Sequence, residues 1–85
     1  MATWRELLEQ EMKDHCDDIS LIEFSTLTDE QMDIEFDNGY GAEQGIPFTV
    51  WTRERVYFPC CYDGSEWVGS VSRHPDENPT EHIGG

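Results

Sequence analysis

Two hydrophobic periods run along this chain, and the change between them falls near residue 18. Before it, Trp4, Leu7, Leu8 and Met12, continued by Cys16, recur at the three- and four-residue spacing of one helix face. Thr3-Trp4-Arg5-Glu6 has the form of a capping box, with Thr3 as N-cap and Glu6 reaching back. Arg5–Glu9 and Glu9–Lys13 are four-apart pairs of opposite charge on the outer face. These features predict a helix over residues 3–15. Its end is unusual: Asp14, Asp17 and Asp18 stand where the helix dipole disfavours anions, by about 0.3–1 kcal/mol each.

After residue 18 the spacing becomes that of strands. Residues 19–25 form the first candidate, and Thr28-Asp29-Glu30-Gln31 reads as a polar turn. Met32-Asp33-Ile34-Glu35-Phe36-Asp37 alternates apolar with acidic at every step, the pattern of a half-buried strand, and Asp37-Asn38-Gly39 ends it with turn residues. A glycine-rich loop over 38–46 holds Tyr40. Residues 48–51 predict a third strand and residues 52–54 a turn. Residues 55–62 predict a fourth strand, placed at an edge or carrying a bulge because Pro59 cannot donate to a ladder. Asp63-Gly64-Ser65 predicts a hairpin turn and residues 67–71 a fifth strand. Residues 74–85 read as a loose C-terminal tail behind a single α+β domain over 1–73. The expected fold is α+β: one N-terminal helix packed on a curved antiparallel sheet of about five strands in meander order. The expected inward residues are Trp4, Leu8, Met12, Leu21, Ile34, Phe36, Val50, Val56, Phe58, Trp67 and Val71.

Charge sharpens this picture. The 85 residues hold 19 Asp and Glu against 5 Lys and Arg, a formal net charge of −14. Most of the acids precede residue 45. Such a surface repels nucleic acid and anionic membrane and attracts basic protein surfaces. Direct nucleic-acid binding, which needs a basic stripe, is excluded as an expectation. The chain opens on an amphipathic helix pattern with no apolar leader, and no run approaches the ~18 apolar residues of a membrane span. Three cysteines are an odd number, read as reduced thiols in a cytoplasmic protein.

Motifs for catalysis or cofactors are weak. Cys60 and Cys61 are adjacent on a strand and point to opposite faces, so zinc would need ligands from separate places. Asp33-x-Glu35-x-Asp37-Asn38-Gly39 resembles a calcium loop, but its glycine falls at the seventh place and Gln44 stands where a bidentate Glu belongs. The serines and histidines fit no nucleophile–base spacing. Gly39-Tyr40-Gly41 is too short, and its surroundings too acidic, to cradle a phosphate. Neither an enzyme nor a cofactor is expected.

A charge-directed partner site is expected instead. On a strand, Asp33, Glu35 and Asp37 would share one face about 7 Å apart. Glu9, Asp14, Asp17, Asp18 and Glu23 would add to that row, making a surface suited to a basic groove that handles nucleic acid. Alternation places Trp51 and Tyr57 away from the helix as aromatic anchors for an Arg- and Lys-rich partner. Two plainer accounts stand beside this one: half-exposed strands alternate charge for solubility, and proteins of a high-salt cytoplasm carry the same surplus. An interaction module without mimicry, self-associating through the edge near Pro59 as a homodimer, is the alternative.

Residues 46–52, Val56-Tyr57-Phe58-Pro59, residues 62–71 and the ending His82-Ile83-Gly84-Gly85 resemble small acidic proteins carried by bacteriophages and prophages. The resemblance covers about half the chain and carries over no functional residue. It implies an accessory phage protein acting in the host cytoplasm. Tiny acidic proteins of that class often inhibit host nucleic-acid enzymes, as anti-CRISPR proteins and DNA mimics do.

Overall fold

A computed structural model describes residues 1–39 and 44–83 of the chain. Tyr40 and the centre of the glycine-rich loop lie outside the described residues, as do the last two positions of the tail. The fold is α+β: helix α1 (Trp4–Asp14), a 3-10 turn (Ile19–Leu21), strand β1 (Ile22–Ser25), a one-turn helix α2 (Asp29–Met32), and strands β2 (Val50–Thr52), β3 (Arg55–Tyr62) and β4 (Ser65–Ser72). The strands form one open antiparallel sheet in the order β1-β2-β3-β4, a meander of four strands where five were expected.

The missing strand is Met32–Asp37, and local hydrogen bonding explains its loss. Thr28 and Gln31 make a reciprocal capping box: the Gln31 N–H donates to Thr28 Oγ1 at 3.1 Å, and the Thr28 N–H donates to Gln31 Oε1 at 2.9 Å. The segment expected as a turn is therefore the start of α2, which takes Met32 into its last position. Asp33 and Ile34 then donate their N–H groups back to Glu30 and Gln31 carbonyls. Met32 and Phe36 are buried, but Ile34, the apolar residue between them, is 50% exposed. Their four-residue spacing decides the burial. Only Phe36 makes a bridge, exchanging two 2.9 Å hydrogen bonds with Ala2.

Residues 19–21 depart from the expected strand for a similar reason. Asp18 accepts the Ser20 N–H at 3.1 Å, caps the 3-10 turn, and delays β1 until Ile22. Thr3 caps α1 by accepting the Glu6 N–H at 3.2 Å, while its hydroxyl donates to the Glu6 carboxylate at 3.1 Å. Asp63 and Gly64 both take positive φ, 51° and 84°, which is the two-residue turn whose twist suits a hairpin. β3 and β4 pair over all eight positions on either side of it. β2 reaches only Val56 and Tyr57, so beyond them β3 is laddered on its β4 side alone. Pro59 falls in that stretch, which is how an interior strand accommodates a proline.

The two helices lie on one face of the sheet. Trp4, Leu8 and Met12 of α1 pack with Met32, Phe36 and Phe48 and with Val50, Tyr57 and Val68 of the sheet. Trp4 is wedged between Phe36 and Phe48, ring centroids 4.7 and 4.8 Å away. Its indole N–H donates to the Ile46 carbonyl at 3.0 Å. The phase of β3 is thus opposite to the expected one. Tyr57 faces the helix and is fully buried, whereas Val56, Phe58, Trp67 and Val71 face the other side and are only partly buried. Leu21, expected inside, is exposed. Residues 73–83 carry no helix or strand; Ile83 returns to the sheet and rests against Gly69.

Candidate functional site

The carboxylates singled out in the sequence divide by what they touch. Asp17 is a structural anchor. Its Oδ2 accepts the Tyr57 hydroxyl and the Thr52 hydroxyl, both at 2.6 Å, so it ties the segment after α1 to β2 and β3. Burial pushes the Asp17 carboxyl up, but those two donors and the Asp18 N–H more than offset it and hold the group below its ordinary value. Burial first, and then the Asp17 bond and charge, push the Tyr57 phenol well above its ordinary value. Asp18 caps the 3-10 turn. The acids that oppose the α1 dipole are therefore largely accounted for by the fold: two of the three serve the chain that follows the helix.

Asp33 is held by Arg5, whose Nε donates at 2.7 Å and whose Nη2 donates at 3.3 Å. The hydrogen bond to Asp33, against a smaller desolvation cost, raises the Arg5 pKa. Asp37 accepts the Gly39 N–H at 3.1 Å in a tight local turn. Glu23 pairs with Arg73 at 2.9 Å. Glu9, Asp14 and Glu35 are exposed. The regular row expected of Asp33, Glu35 and Asp37 does not form, because no strand spaces them. Tyr57 is not a surface anchor, since its ring is in the core and its hydroxyl is committed to Asp17. Trp51 does face away from the helices, edge-on to Phe24 with ring centroids 5.5 Å apart.

The structure brings Glu9, Asp17 and Asp18 together. They line a groove of about 280 Å³ beside α1, with Met12 and Ile19 as its apolar walls and Lys13 as its one basic residue. Such a groove suits the side chain of an arginine or lysine: the methylene stem lies on Met12 and Ile19, and the charged head meets carboxylates. Around it, the same helical side of the molecule exposes Asp14, Asp29, Glu30 and Glu35.

A second polar cluster was not legible in the sequence. Glu11 accepts the Ser70 hydroxyl at 2.8 Å and contacts His15 at 3.1 Å, and Arg55 Nε donates to Ser70 at 3.0 Å. The partners are up to 59 residues apart in sequence, so no spacing could announce them. The carboxylate sits between the hydroxyl and the imidazole, so the hydroxyl–imidazole–carboxylate order of a triad is not met. This cluster forms one wall of a cleft of about 470 Å³ that the tail completes with His74, Asp76 and Ile83.

Glu66 is also buried, at 4% exposure. It accepts the Gln44 N–H at 2.7 Å and the Gly45 N–H at 3.0 Å, and so holds the end of the glycine-rich loop against β4. Cys60 is buried and Cys61 exposed, on opposite faces of β3; burial pushes the Cys60 thiol up. Among the described residues, no group of three His, Cys, Asp or Glu is placed to hold a metal ion, and no helix is long and apolar enough to cross a membrane. Comparison with family models, curated proteins and solved structures finds no match for this chain.

Proposed function

We propose that this chain is a non-catalytic acidic protein that binds a basic, nucleic-acid-handling protein and obstructs its nucleic-acid site. The observation that carries this reading is the groove of Glu9, Asp17 and Asp18 beside Met12 and Ile19, set in a helical side rich in exposed carboxylates. Arginine and lysine side chains that would otherwise meet phosphates fit that chemistry. With a charge of −14, encounter with such a partner is fast and strongly salt-dependent. Recognition then comes from one receptive groove and a diffuse field, without a phosphate-like ladder of carboxylates. The phage-type inhibitor implied by the resemblance, acting in the host cytoplasm, is a reading of this kind.

Immobilised chain exposed to bacterial lysate at low salt tests it. Nucleic-acid-binding proteins are expected to be retained and then released as salt rises over about 0.05–0.5 M. The double variant Glu9→Gln, Asp18→Asn, with its fold checked by circular dichroism, is expected to lose most of that capture. Retention of no nucleic-acid-binding protein, or capture indifferent to both salt and the variant, overturns the reading.

A further inference from the structure

The face of the sheet opposite the helices carries an interaction surface of a different character. Cross-strand pairing places Trp51 of β2, Phe58 and Tyr62 of β3, and Trp67 and Val71 of β4 on that face, and Phe24 of β1 packs edge-on against Trp51. Phe24 is 63% exposed and Tyr62 58%. β2, β3 and β4 place no charged residue there, in a chain where 28% of residues are charged. Ile83 of the tail rests on Gly69 of the edge strand β4 and extends the apolar area. A contiguous aromatic face of this kind is uncommon on a monomer.

We infer that this face packs against the same face of a second copy, so that the chain forms a two-fold, sheet-on-sheet homodimer. Charge selects the occupant. Like-charged chains repel each other less across a face on which β2, β3 and β4 place no charge than across the acid-rich side. Packed sheets lie about 10 Å apart, and each helical layer adds about 10 Å, which puts the two acid-rich sides roughly 30 Å from one another. That is several times the ~8 Å screening length at physiological salt. The face is also self-complementary in kind, apolar against apolar, as a two-fold interface requires.

Its area sets the strength. Two strands of eight residues with shorter ones of three and four, at ~3.4 Å per residue and ~4.8 Å spacing, give a face of roughly 400 Å² in projection. This is about half of the ~800 Å² per partner typical of stable complexes. An interface of this size belongs with weak, reversible associations. The contact is face to face, and so differs from an edge-to-edge pairing near Pro59, where β3 is laddered on its β4 side alone.

Sedimentation equilibrium of the full chain from about 1 µM to about 1 mM, at about 0.05 M and 0.5 M sodium chloride, tests the inference. A monomer–dimer equilibrium is expected, tighter at the higher salt because screening relieves repulsion and salting-out favours apolar burial. Phe24→Asp and, separately, Tyr62→Asp are each expected to raise the dissociation constant at least ~10-fold. Both sites are exposed, so each variant is expected to fold. Glu9→Gln on the acid-rich side is expected to change the high-salt constant little. A chain that stays monomeric at high salt and about 1 mM overturns the inference, as does a dimer that dissolves as salt rises or ignores both aspartates. Poly-lysine, titrated into the wild type and Phe24→Asp at low salt, distinguishes the other occupant: if the aspartate abolishes binding, the face belongs to a basic partner and the dimer is overturned. A monomeric result leaves the acidic groove and its reading intact, because the groove lies on the other side.

Discussion

Tyr57 sends its hydroxyl to a carboxylate 40 residues away, and that bond reverses the role its sequence suggested. A hydrogen bond to a charged acceptor contributes about 1.5–3 kcal/mol. Tyr57→Phe is therefore expected to lower the urea-unfolding free energy at neutral pH by roughly that amount. The two partners respond to pH in opposite directions. Asp17 has a depressed folded pKa, so its contribution is present above the unfolded value of ~3.9 and is lost as pH falls below it. Tyr57 has a raised folded pKa, so its contribution is complete below the unfolded value of ~10 and is lost as pH climbs beyond it. The difference in stability between wild type and Tyr57→Phe should thus be flat near neutrality and shrink both below about pH 4 and above about pH 10. A difference independent of pH over that range would remove the bond from the account. Gly45 makes a second residue-scale case. A Cβ there would stand 2.4 Å from Trp4 Cζ2 and 2.9 Å from Glu66 Oε1. Both neighbours are buried and hydrogen-bonded, so neither yields cheaply. Gly45→Ala is expected to cost about 1–3 kcal/mol in the same denaturation assay.

At the scale of elements, what can be read from sequence is what closes locally. The α1 stripe, its Thr3 cap, β3 and the Asp63-Gly64 turn are each specified by residues within a few positions of one another, and each forms where the pattern places it. Met32–Asp37 fails for an identifiable reason. Met32, Ile34 and Phe36 satisfy a two-residue period, while Met32 and Phe36 alone satisfy a helical one, and the choice rests on Thr28 and Gln31 upstream. Thr28→Ala removes that cap and is expected to cost about 1 kcal/mol, read as a lower urea midpoint with little change in slope. Face assignment was beyond reach for another reason. Both phases of residues 56–62 are apolar, and the choice is made by α1 and the segment after it through Ser70–Glu11 and Tyr57–Asp17, contacts 59 and 40 residues long. The bonding of the acids was out of reach on the same ground: Asp17, Asp18, Asp33 and Glu23 look free in sequence, and each also holds a distant or capping partner. Only their surplus, and the exposure of Glu9, Asp14 and Glu35, could be read directly.

At the scale of the whole molecule, the two sides of the sheet differ in character: acid-rich helices on one, an aromatic surface to which β2, β3 and β4 add no charge on the other. Salt should therefore act differently on three properties of one protein. Under the proposed function, binding of a basic partner is expected to weaken with salt; under the inferred dimer, self-association is expected to strengthen. Folding stability itself is the third. With 19 acids and 5 bases, self-repulsion opposes the compact state. Among the described residues, the arginine ion pairs that salt would weaken are few and solvent-facing: Arg5 with Asp33 and Asp29, and Arg73 with Glu23. Exposed pairs of this kind contribute about 0–1 kcal/mol each. Screening of the surplus should outweigh screening of these pairs. Raising sodium chloride from about 0.02 M to about 0.5 M is expected to stabilise the fold by roughly 1 kcal/mol, a rise of about 4–8 °C in Tm for a domain of this size. Sodium sulfate would add its own exclusion effect, so chloride is the cleaner probe. The scan should be run on Phe24→Asp at low concentration, where dimerisation cannot contribute. A Tm that falls with chloride would mean that the local pairs, Arg5–Asp33 above all, hold more of the fold than the global field takes away.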